Sequence, residues 1–455
     1  MELRMRISSR YGRLFARVLL IALLPASALL AQAPVDSALT VYIAAIRAID
    51  SHAHPMRPIR AGAPADTDFD ALSLDGLAPF GFQHRLTLDD PIWRRAQNAL
   101  YQTASWAPTT DSAYRTALAG TVARAVAEHG DRFPAWALDQ AGIDIMLANR
   151  VAMGPGLEAP RFRWVSFVDA LMLPLDTRAE AGATPDTRAL YPKEATLLKR
   201  YLLDLHIAKL PSSLDGYVHA VVIPTLERQH SGGAVAVKFE AAYLRPLDFD
   251  DPDPAIARRV YARYVAGGVP THAEYKRLED YLFRVIAREA GRLRMAVQIH
   301  TFESFGSFYR TSGAAPHLLE SALNDSTLRG TKFVLVHGGW PLVNETQALL
   351  AKPNVYTDIS AMDMILSPTV LAGVLRQWLG EFPDKVLFGS DAFESDAAQG
   401  WEQAAWVAST TARRALAIAL TGMLRDGEIG RDRAEALARM VLRENAITAY
   451  GLKER

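Results

Sequence analysis

Two histidines at alternate positions, His52 and His54, end an apolar run that predicts a β-strand over residues 48–54. On a strand, residues at i and i+2 point to the same side, so both imidazoles can reach one metal ion. The pair by itself is also typical of two hydrogen-bonded or solvent-facing histidines. It indicates a metal site only if further ligands fall beside it.

Three later predicted strands end in the same kind of side chain: His300, His337 and Asp391. The carboxyl ends of parallel strands meet at one rim of a barrel, so these groups are expected to converge with the first two. The chain has no cysteine, which excludes thiolate ligands and disulfides. Nitrogen and oxygen ligands suit Zn²⁺, Mn²⁺ or Fe²⁺. We expect a divalent metal, Zn²⁺ first among these, as one or two ions.

Eight short apolar runs separated by helical or loop-rich stretches predict a parallel α/β domain. Several are nearly continuous apolar runs, as expected where both faces of a strand are covered. An open doubly wound sheet has the same alternation, but eight units favour a closed (β/α)₈ TIM barrel. The predicted strands cover residues 48–54, 143–149, 162–168, 234–239, 295–300, 332–337, 354–360 and 385–391.

The chain is much longer than the roughly 250 residues of a minimal barrel, so large helical insertions are expected. One follows strand one, from residue 55 to about 140, and the other follows strand three, from residue 169 to about 233. Leu197, Tyr201 and Leu205 form an amphipathic pattern within the second insertion. Insertions at these positions lie over the catalytic face, either as lids that contact substrate or as packing helices.

Helices are also predicted at the C-terminus. Leu416, Leu420 and Leu424 recur at helical spacing, and Asp432 with Glu435 predicts a capping box. Gly451 is expected to end the last helix.

The N-terminal segment, residues 1–33, has the pattern of a secretory signal peptide. Arginines occur from Arg4 to Arg17, an apolar run follows over residues 18–30, and small residues precede Pro34. The alternative is an N-terminal membrane anchor, for which the run is short. The mature domain would cover residues 34–455, with the bacterial periplasm or the medium as its destination. No stable membrane association is then expected after cleavage.

This order of motifs resembles the amidohydrolase superfamily, in particular its amidohydrolase-related branch. The resemblance rests on His52-x-His54, His300, His337 and Asp391, and on the segments 333–341 and 386–392. It implies that His52 and His54 bind the more buried metal and that Asp391 touches this metal and shuttles a proton. His300 and His337 would bind a second metal. In one-metal members His300 joins the first ion and His337 polarises the substrate.

Lys238, on the predicted fourth strand, is the residue that decides the metal count. Some superfamily members carry a carbamylated lysine there that bridges two metals. An ammonium is a poor ligand beside a metal, whereas a carbamate is an anion with two oxygens. The alternative is an ordinary lysine that caps the strand or binds an anionic substrate.

Several side chains that follow these strands are candidates for the substrate pocket. Arg245 could grip a carboxylate through two parallel hydrogen bonds, or it could form an ion pair with a neighbour such as Asp248. Tyr243 and Trp340 are the other substrate-binding candidates. The same stretches contain Glu240, Glu303 and Tyr309.

The function predicted from these residues is metal-dependent hydrolysis of an amide, lactone or ester bond in a small molecule, with Asp391 and His337 as catalytic residues. The alternatives are non-oxidative decarboxylation of an aromatic acid and a non-catalytic periplasmic binding protein. A Ser or Cys hydrolase is disfavoured, because the chain has neither cysteine nor a Gly-x-Ser-x-Gly motif. The formal net charge of zero argues against nucleic acid as a partner. A homo-oligomer stays open.

Export is testable by mass spectrometry of cell fractions. We expect a mature chain in the periplasm or medium that begins close to Gln32 or Pro34. An uncut chain in the cytoplasm would contradict this prediction.

Overall fold

A computed structural model describes residues 34–453 apart from 60–61, 63, 74–82, 106–111 and 304–308. The predicted signal peptide lies outside the described residues. Each of the eight predicted strands is present, and all neighbouring pairs are parallel in the order β1 to β8. The strands are β1 Ala48–Ala53, β2 Ile143–Arg150, β3 Phe162–Phe167, β4 Ala234–Phe239, β5 Ala296–His300, β6 Phe333–Val336, β7 Val355–Asp358 and β8 Val386–Leu387.

Backbone hydrogen bonds join the two ends of this sheet. Ser51 N–H donates to the Phe388 carbonyl at 2.9 Å, and Asp391 N–H donates to the His52 carbonyl at 2.7 Å. The segment that follows β8 therefore pairs with β1, and the sheet closes into a barrel. The predicted (β/α)₈ TIM-barrel fold is confirmed.

Helices surround the barrel and fill both predicted insertions. Among the described residues, none of them has the length and apolar composition needed to cross a membrane. Short 3₁₀ turns follow several strands, including Asp169–Met172, Ala241–Tyr243 and His337–Gly339. The α-helices are Ser37–Ala45, Pro91–Tyr101, Ser112–His129, Phe133–Gln140, Arg178–Ala183, Tyr191–Asp204, Leu214–Tyr217, Ile223–Ser231, Pro254–Tyr264, His272–Arg292, Glu320–Leu323, Val343–Leu350, Met362–Ile365, Pro368–Glu381, Trp401–Arg425, Arg431–Arg439 and Asn445–Tyr450.

The insertion after β3 is fastened to the barrel by the helix Tyr191–Asp204. The amphipathic pattern predicted this helix, which buries Leu197 and Tyr201. The Tyr201 hydroxyl donates to the Phe167 carbonyl at the end of β3, at 2.7 Å. This hydrogen bond fixes the position of the helix Tyr191–Asp204 relative to the end of β3.

The barrel interior contains an apolar cluster, and the last helix packs against it. Ile49, Leu147 and Val334 belong to one buried cluster with Tyr450 of the helix Asn445–Tyr450. Gly451 ends this helix with φ of 62°, as predicted. Positive φ is easily reached by glycine because it lacks a Cβ.

The predicted capping box at Asp432 is wrong. The helix begins at Arg431 with Gly430 as its N-cap, and no side chain caps it. Asp432 instead lies within the first turn, where a carboxylate interacts favourably with the helix dipole.

The predicted bounds of the eighth strand are also too wide, since β8 covers only Val386–Leu387. Two expected strand-end ligands, His337 and Asp391, lie beyond their strands in left-handed conformations with φ of 68° and 54°. Positive φ is costly for residues other than glycine, and such strain clusters at functional sites where surrounding contacts enforce it.

Candidate metal centre

Three side chains form the centre of the site at the C-terminal rim of the barrel. Asp391 Oδ1 lies 3.2 Å from His52 Nε2 and 3.6 Å from His54 Nε2. One ligand atom from each residue falls within 4.8 Å of the others. The two histidines and the carboxylate that the sequence assigned to one metal are therefore together.

His52 is held in one orientation by the side chain of Gln298. The Gln298 amide donates to the Ser51 carbonyl at 2.7 Å, which fixes its oxygen toward His52 Nδ1 at 3.0 Å. Asn149 Nδ2 lies 2.9 Å from the same nitrogen. These two contacts hold the ring so that Nε2 faces the centre of the site.

Sequence reasoning missed Gln298 and Asn149. Gln298 could have been found, because it lies two residues before His300 on the same strand and faces the same interior. Asn149 carries no such signal.

His337 is oriented by a network that begins at β7. Its backbone N–H donates to Asp358 Oδ1 at 2.8 Å, and the Ser360 hydroxyl lies 2.9 Å from its Nδ1. The same hydroxyl donates to Asp358 at 2.5 Å. These bonds hold His337 at positive φ and leave its Nε2 for the site.

His300 and Lys238 complete the arrangement. The His337 ring lies 4.9 Å from the His300 ring and 5.0 Å from the His52 ring, centroid to centroid. Lys238 is only 1% exposed, and its Nζ lies 3.3 Å from His52 Nε2. All six side chains assigned to the metal site from the sequence thus meet at one rim.

Burial dominates the electrostatics of this centre. Loss of hydration lowers the pKa of each of the four histidines well below its usual value, and the positive charge of Lys238 lowers it further. Burial raises the pKa of Asp391 well above its usual value, despite the opposing effect of Lys238. Without a cation, the site therefore favours neutral imidazoles and a protonated carboxyl.

A second carboxyl network supports the turn that carries Asp391. The Ser390 hydroxyl and amide donate to Asp50 at 2.5 and 2.9 Å. Burial raises the pKa of Asp50 to about 7. The network links β1 to the residues after β8 and so sets the position of Asp391 relative to His52.

The donor set fits a divalent metal. His300 Nε2 is buried and has no hydrogen-bond partner. An unpaired buried polar group costs about 1–3 kcal/mol, so this atom needs a partner outside the protein. Neutral imidazole nitrogens with one carboxylate are the ligands that zinc and similar ions prefer.

The three predicted substrate-binding residues have different surroundings. The Tyr243 ring packs 4.6 Å from the His300 ring, at the edge of the site. Trp340 follows His337 closely, is partly buried, and donates its backbone N–H to the His337 carbonyl at 3.2 Å. Both residues border the metal ligands as expected.

Arg245 is different, because its guanidinium is already neutralised. It donates to Glu279 at 2.9 Å and to Asp280 at 2.7 Å, and all three side chains are almost fully buried. Asp248 lies farther away, at 3.6 Å. Arg245 therefore forms ion pairs, mainly with Glu279 and Asp280. Its predicted role in binding a substrate carboxylate is not supported.

Asp70 is a residue of the site that could not be predicted from the sequence, because no local pattern marks it within the first insertion. Its Oδ2 lies 3.4 Å from His54 Nδ1. Asp70, Glu240 and His54 form a second group whose ligand atoms lie within 4.8 Å of one another.

The sequence matches the model of a known protein family. A family model described as amidohydrolase matches residues 218–452, which is more than half of the chain. No curated protein matches the sequence.

Solved structures resemble the fold at low sequence identity. A candidate metal-dependent hydrolase from Lactobacillus casei has a TM-score of 0.57 at 17% identity, covering 92% of this chain and 98% of its own. Uronate isomerase from Thermotoga maritima has a TM-score of 0.54 at 14% identity, with coverage of 91% and 96%. Glucuronate isomerase from Caulobacter crescentus has the same TM-score and identity, with coverage of 92% and 94%. At these identities the likeness concerns the fold alone.

Proton release should accompany metal binding. Burial raises the pKa of Asp391 and lowers the pKa of each of the four histidines, so among these five groups Asp391 is the one whose surroundings favour the protonated form in the metal-free protein. Because a ligand must be deprotonated, Zn²⁺ should displace about one proton from Asp391, and affinity should rise with pH. Calorimetry at pH 7 in buffers of different ionisation enthalpy measures this release.

The matched variants are Asp391→Asn, which should release about one proton fewer, and Glu402→Gln, which removes a buried carboxyl paired with Tyr101 and should leave the release unchanged. Equal proton release by the wild type and Asp391→Asn would refute the assignment.

Proposed function

Because the chain belongs to the amidohydrolase family, we propose that it is a metal-dependent hydrolase that cleaves an amide, lactone or ester bond of a small molecule. The observation that carries the proposal is the placement of Asp391, whose Oδ1 faces Nε2 of both His52 and His54 at 3.2 and 3.6 Å. A carboxylate at this position can both bind a metal and exchange a proton. A passive binding protein has no need of the second property.

His52, His54 and Asp391 would hold the first metal, and His300, His337 and Lys238 would border a second. When bound, such a metal lowers the pKa of water and polarises a carbonyl oxygen. Zn²⁺ suits the imidazole-rich set best.

Asp391 acts in this proposal as the general base and then as the general acid. It accepts the proton of the attacking water and returns it to the leaving nitrogen or oxygen. Its buried surroundings favour the protonated form, so the proton is held at Oδ1 or Oδ2 between the two steps. Catalytic groups are commonly tuned in this way by burial.

With one metal bound, His337 would orient and polarise the substrate carbonyl, whereas with two metals bound it would be a ligand of the second ion. Its Nδ1 is engaged by Ser360 at 2.9 Å, so only Nε2 faces the open side of the site. Tyr243, against His300, and Trp340, after His337, would form the apolar wall against which the substrate lies. Neither decarboxylation nor isomerisation is favoured by a specific contact here.

A carbamate on Lys238 is part of the proposal. An ammonium 3.3 Å from His52 Nε2 would lie where it repels a divalent ion. Carbamylation replaces this cation with an anion that offers two oxygens, which removes the conflict. The proposed location is the periplasm or the medium, on the pattern of residues 1–33.

The proton-shuttle role of Asp391 is tested by Asp391→Asn. We expect most of the metal to be retained, because the histidines supply most ligands and the amide oxygen remains a weak one. Turnover of a screened amide, lactone or ester should fall by about 10²- to 10⁴-fold, the usual contribution of a general acid or base. The values of kcat and zinc content are measured on one preparation.

A variant with full metal and near-normal kcat would contradict the mechanism. Glu402→Gln serves as the control, since it removes a buried carboxyl that accepts a hydrogen bond from Tyr101 outside the site. It should leave kcat unchanged.

The carbamate is tested by counting zinc in protein prepared with bicarbonate. We expect close to two zinc ions per chain in the wild type and the loss of one in Lys238→Ala. Lys199→Ala, on the exposed face of the helix Tyr191–Asp204, is the matched control. The same zinc count in Lys238→Ala and the wild type would return Lys238 to a structural or substrate-binding role.

A further inference from the structure

Four carboxyl side chains gather on the far side of His54 from Asp391, and we call them the carboxylate cluster. They are Asp70 of the first insertion, Asp169 after β3, Glu194 of the helix Tyr191–Asp204 and Glu240 after β4. The backbone N–H of Glu240 donates to Asp169 Oδ2 at 2.8 Å. Glu194 lies within electrostatic range of Asp169 and Asp70.

Asp169, Glu194 and Glu240 are buried, yet four of their six carboxyl oxygens have no partner. Glu240 is 5% exposed, and its Oε2 is unpaired. Asp169 is 1% exposed, and its Oδ1 is unpaired. Glu194 is also 1% exposed, and both of its carboxyl oxygens are unpaired. Buried polar atoms in proteins are paired in the great majority of cases. Four unpaired oxygens in one place indicate a ligand that supplies positive charge.

The protein supplies little of that charge. Among the described residues, Lys238 acts by its charge on Asp70, Asp169 and Glu240, and Lys193 acts on Asp70. Two ammonium groups cannot neutralise four carboxylates, and carbamylation of Lys238 would remove one of the two charges. A buried charge without a partner is costly enough that the group takes up a proton or binds a cation instead.

We propose that a divalent cation binds between the carboxylates of Asp70 and Glu240, at a site separate from that of His52, His54 and Asp391. The ligand atoms of Asp70 and Glu240 lie within 4.8 Å of each other and of a His54 ring nitrogen. His54 Nε2 faces Asp391, so Nδ1 carries the ring proton and points to Asp70 at 3.4 Å. His54 is therefore a donor to this site and not a ligand of its cation.

The oxygen-rich surroundings fit a hard cation, Mg²⁺ or Mn²⁺. These ions keep several waters and use one or two carboxylates. The unpaired oxygens of Asp169 and Glu194 would accept hydrogen bonds from those waters.

The cation would connect the first insertion to the barrel. Asp70 belongs to a loop, whereas Glu240 follows β4 directly, and His54 follows β1. Binding of the cation would fix Asp70, and through it the orientation of the His54 ring. The site would thus couple the position of Asp70 to the geometry of the first metal site, because His54 contributes to both.

The test is a titration of zinc-loaded protein with Mn²⁺, with free Mn²⁺ followed by electron paramagnetic resonance. We expect about one Mn²⁺ per chain and a weakening of its affinity by at least about tenfold in Asp70→Asn and in Glu240→Gln, since each removes a charged ligand. Glu402→Gln, whose carboxyl is equally buried but paired with Tyr101, should bind Mn²⁺ as the wild type does. Circular dichroism checks that each variant is folded.

Anomalous diffraction at the manganese edge locates the ion. A peak between Asp70 and Glu240 supports the site, and a peak elsewhere overturns it. Absence of bound Mn²⁺ in the wild type, or the same affinity in folded Asp70→Asn, also overturns it. If no Mn²⁺ binds and Glu240→Gln raises only the KM of amine-bearing substrates, the carboxylate cluster binds a substrate ammonium group and the proposed cation site is wrong. None of the binding measurements requires turnover, so the proposed hydrolase activity can fail independently.

Discussion

The amide of Asp391 donates to the carbonyl oxygen of His52 at 2.7 Å, and the rest of the site depends on this bond. It lies where the chain after β8 meets β1, so it takes part in closing the barrel. The same bond brings a carboxylate and an imidazole from positions 339 residues apart into contact. Closure of the barrel and assembly of the metal ligands are therefore one event.

Contacts behind the ligands determine which atoms face the centre. Gln298 holds the ring of His52 in place, and Ser360 with Asp358 holds the ring of His337. Ser390 and Asp50 hold the turn that carries Asp391 at positive φ. Outer partners of this kind orient metal ligands and tune their basicity. They also explain how two ligands can keep a strained backbone, because several hydrogen bonds enforce it.

Burial gives the site its need for a cation. Neutral histidines and protonated carboxyls are the state that the protein alone favours, since each charge loses hydration at the rim. A divalent ion favours the deprotonated carboxylate instead, because direct ligand bonds replace the lost hydration, and the histidines stay neutral. The carboxylate cluster beside His54 extends the same logic to side chains that the insertions contribute.

The sequence by itself determined the fold and the principal ligands. Strand periodicity and length predicted the eight strands, and ligand residues at their ends predicted His52, His54, His300, His337 and Asp391 as candidates, because a parallel barrel brings strand ends to one rim. The family resemblance added Lys238. Only the tertiary structure decided what depends on contacts between distant segments. It engaged Arg245 with Glu279 and Asp280, ended β8 early, and brought Asp70 to His54. Local patterns encode periodicity and spacing, whereas the partner of a buried charge is set by packing between insertions and barrel, which no local pattern records.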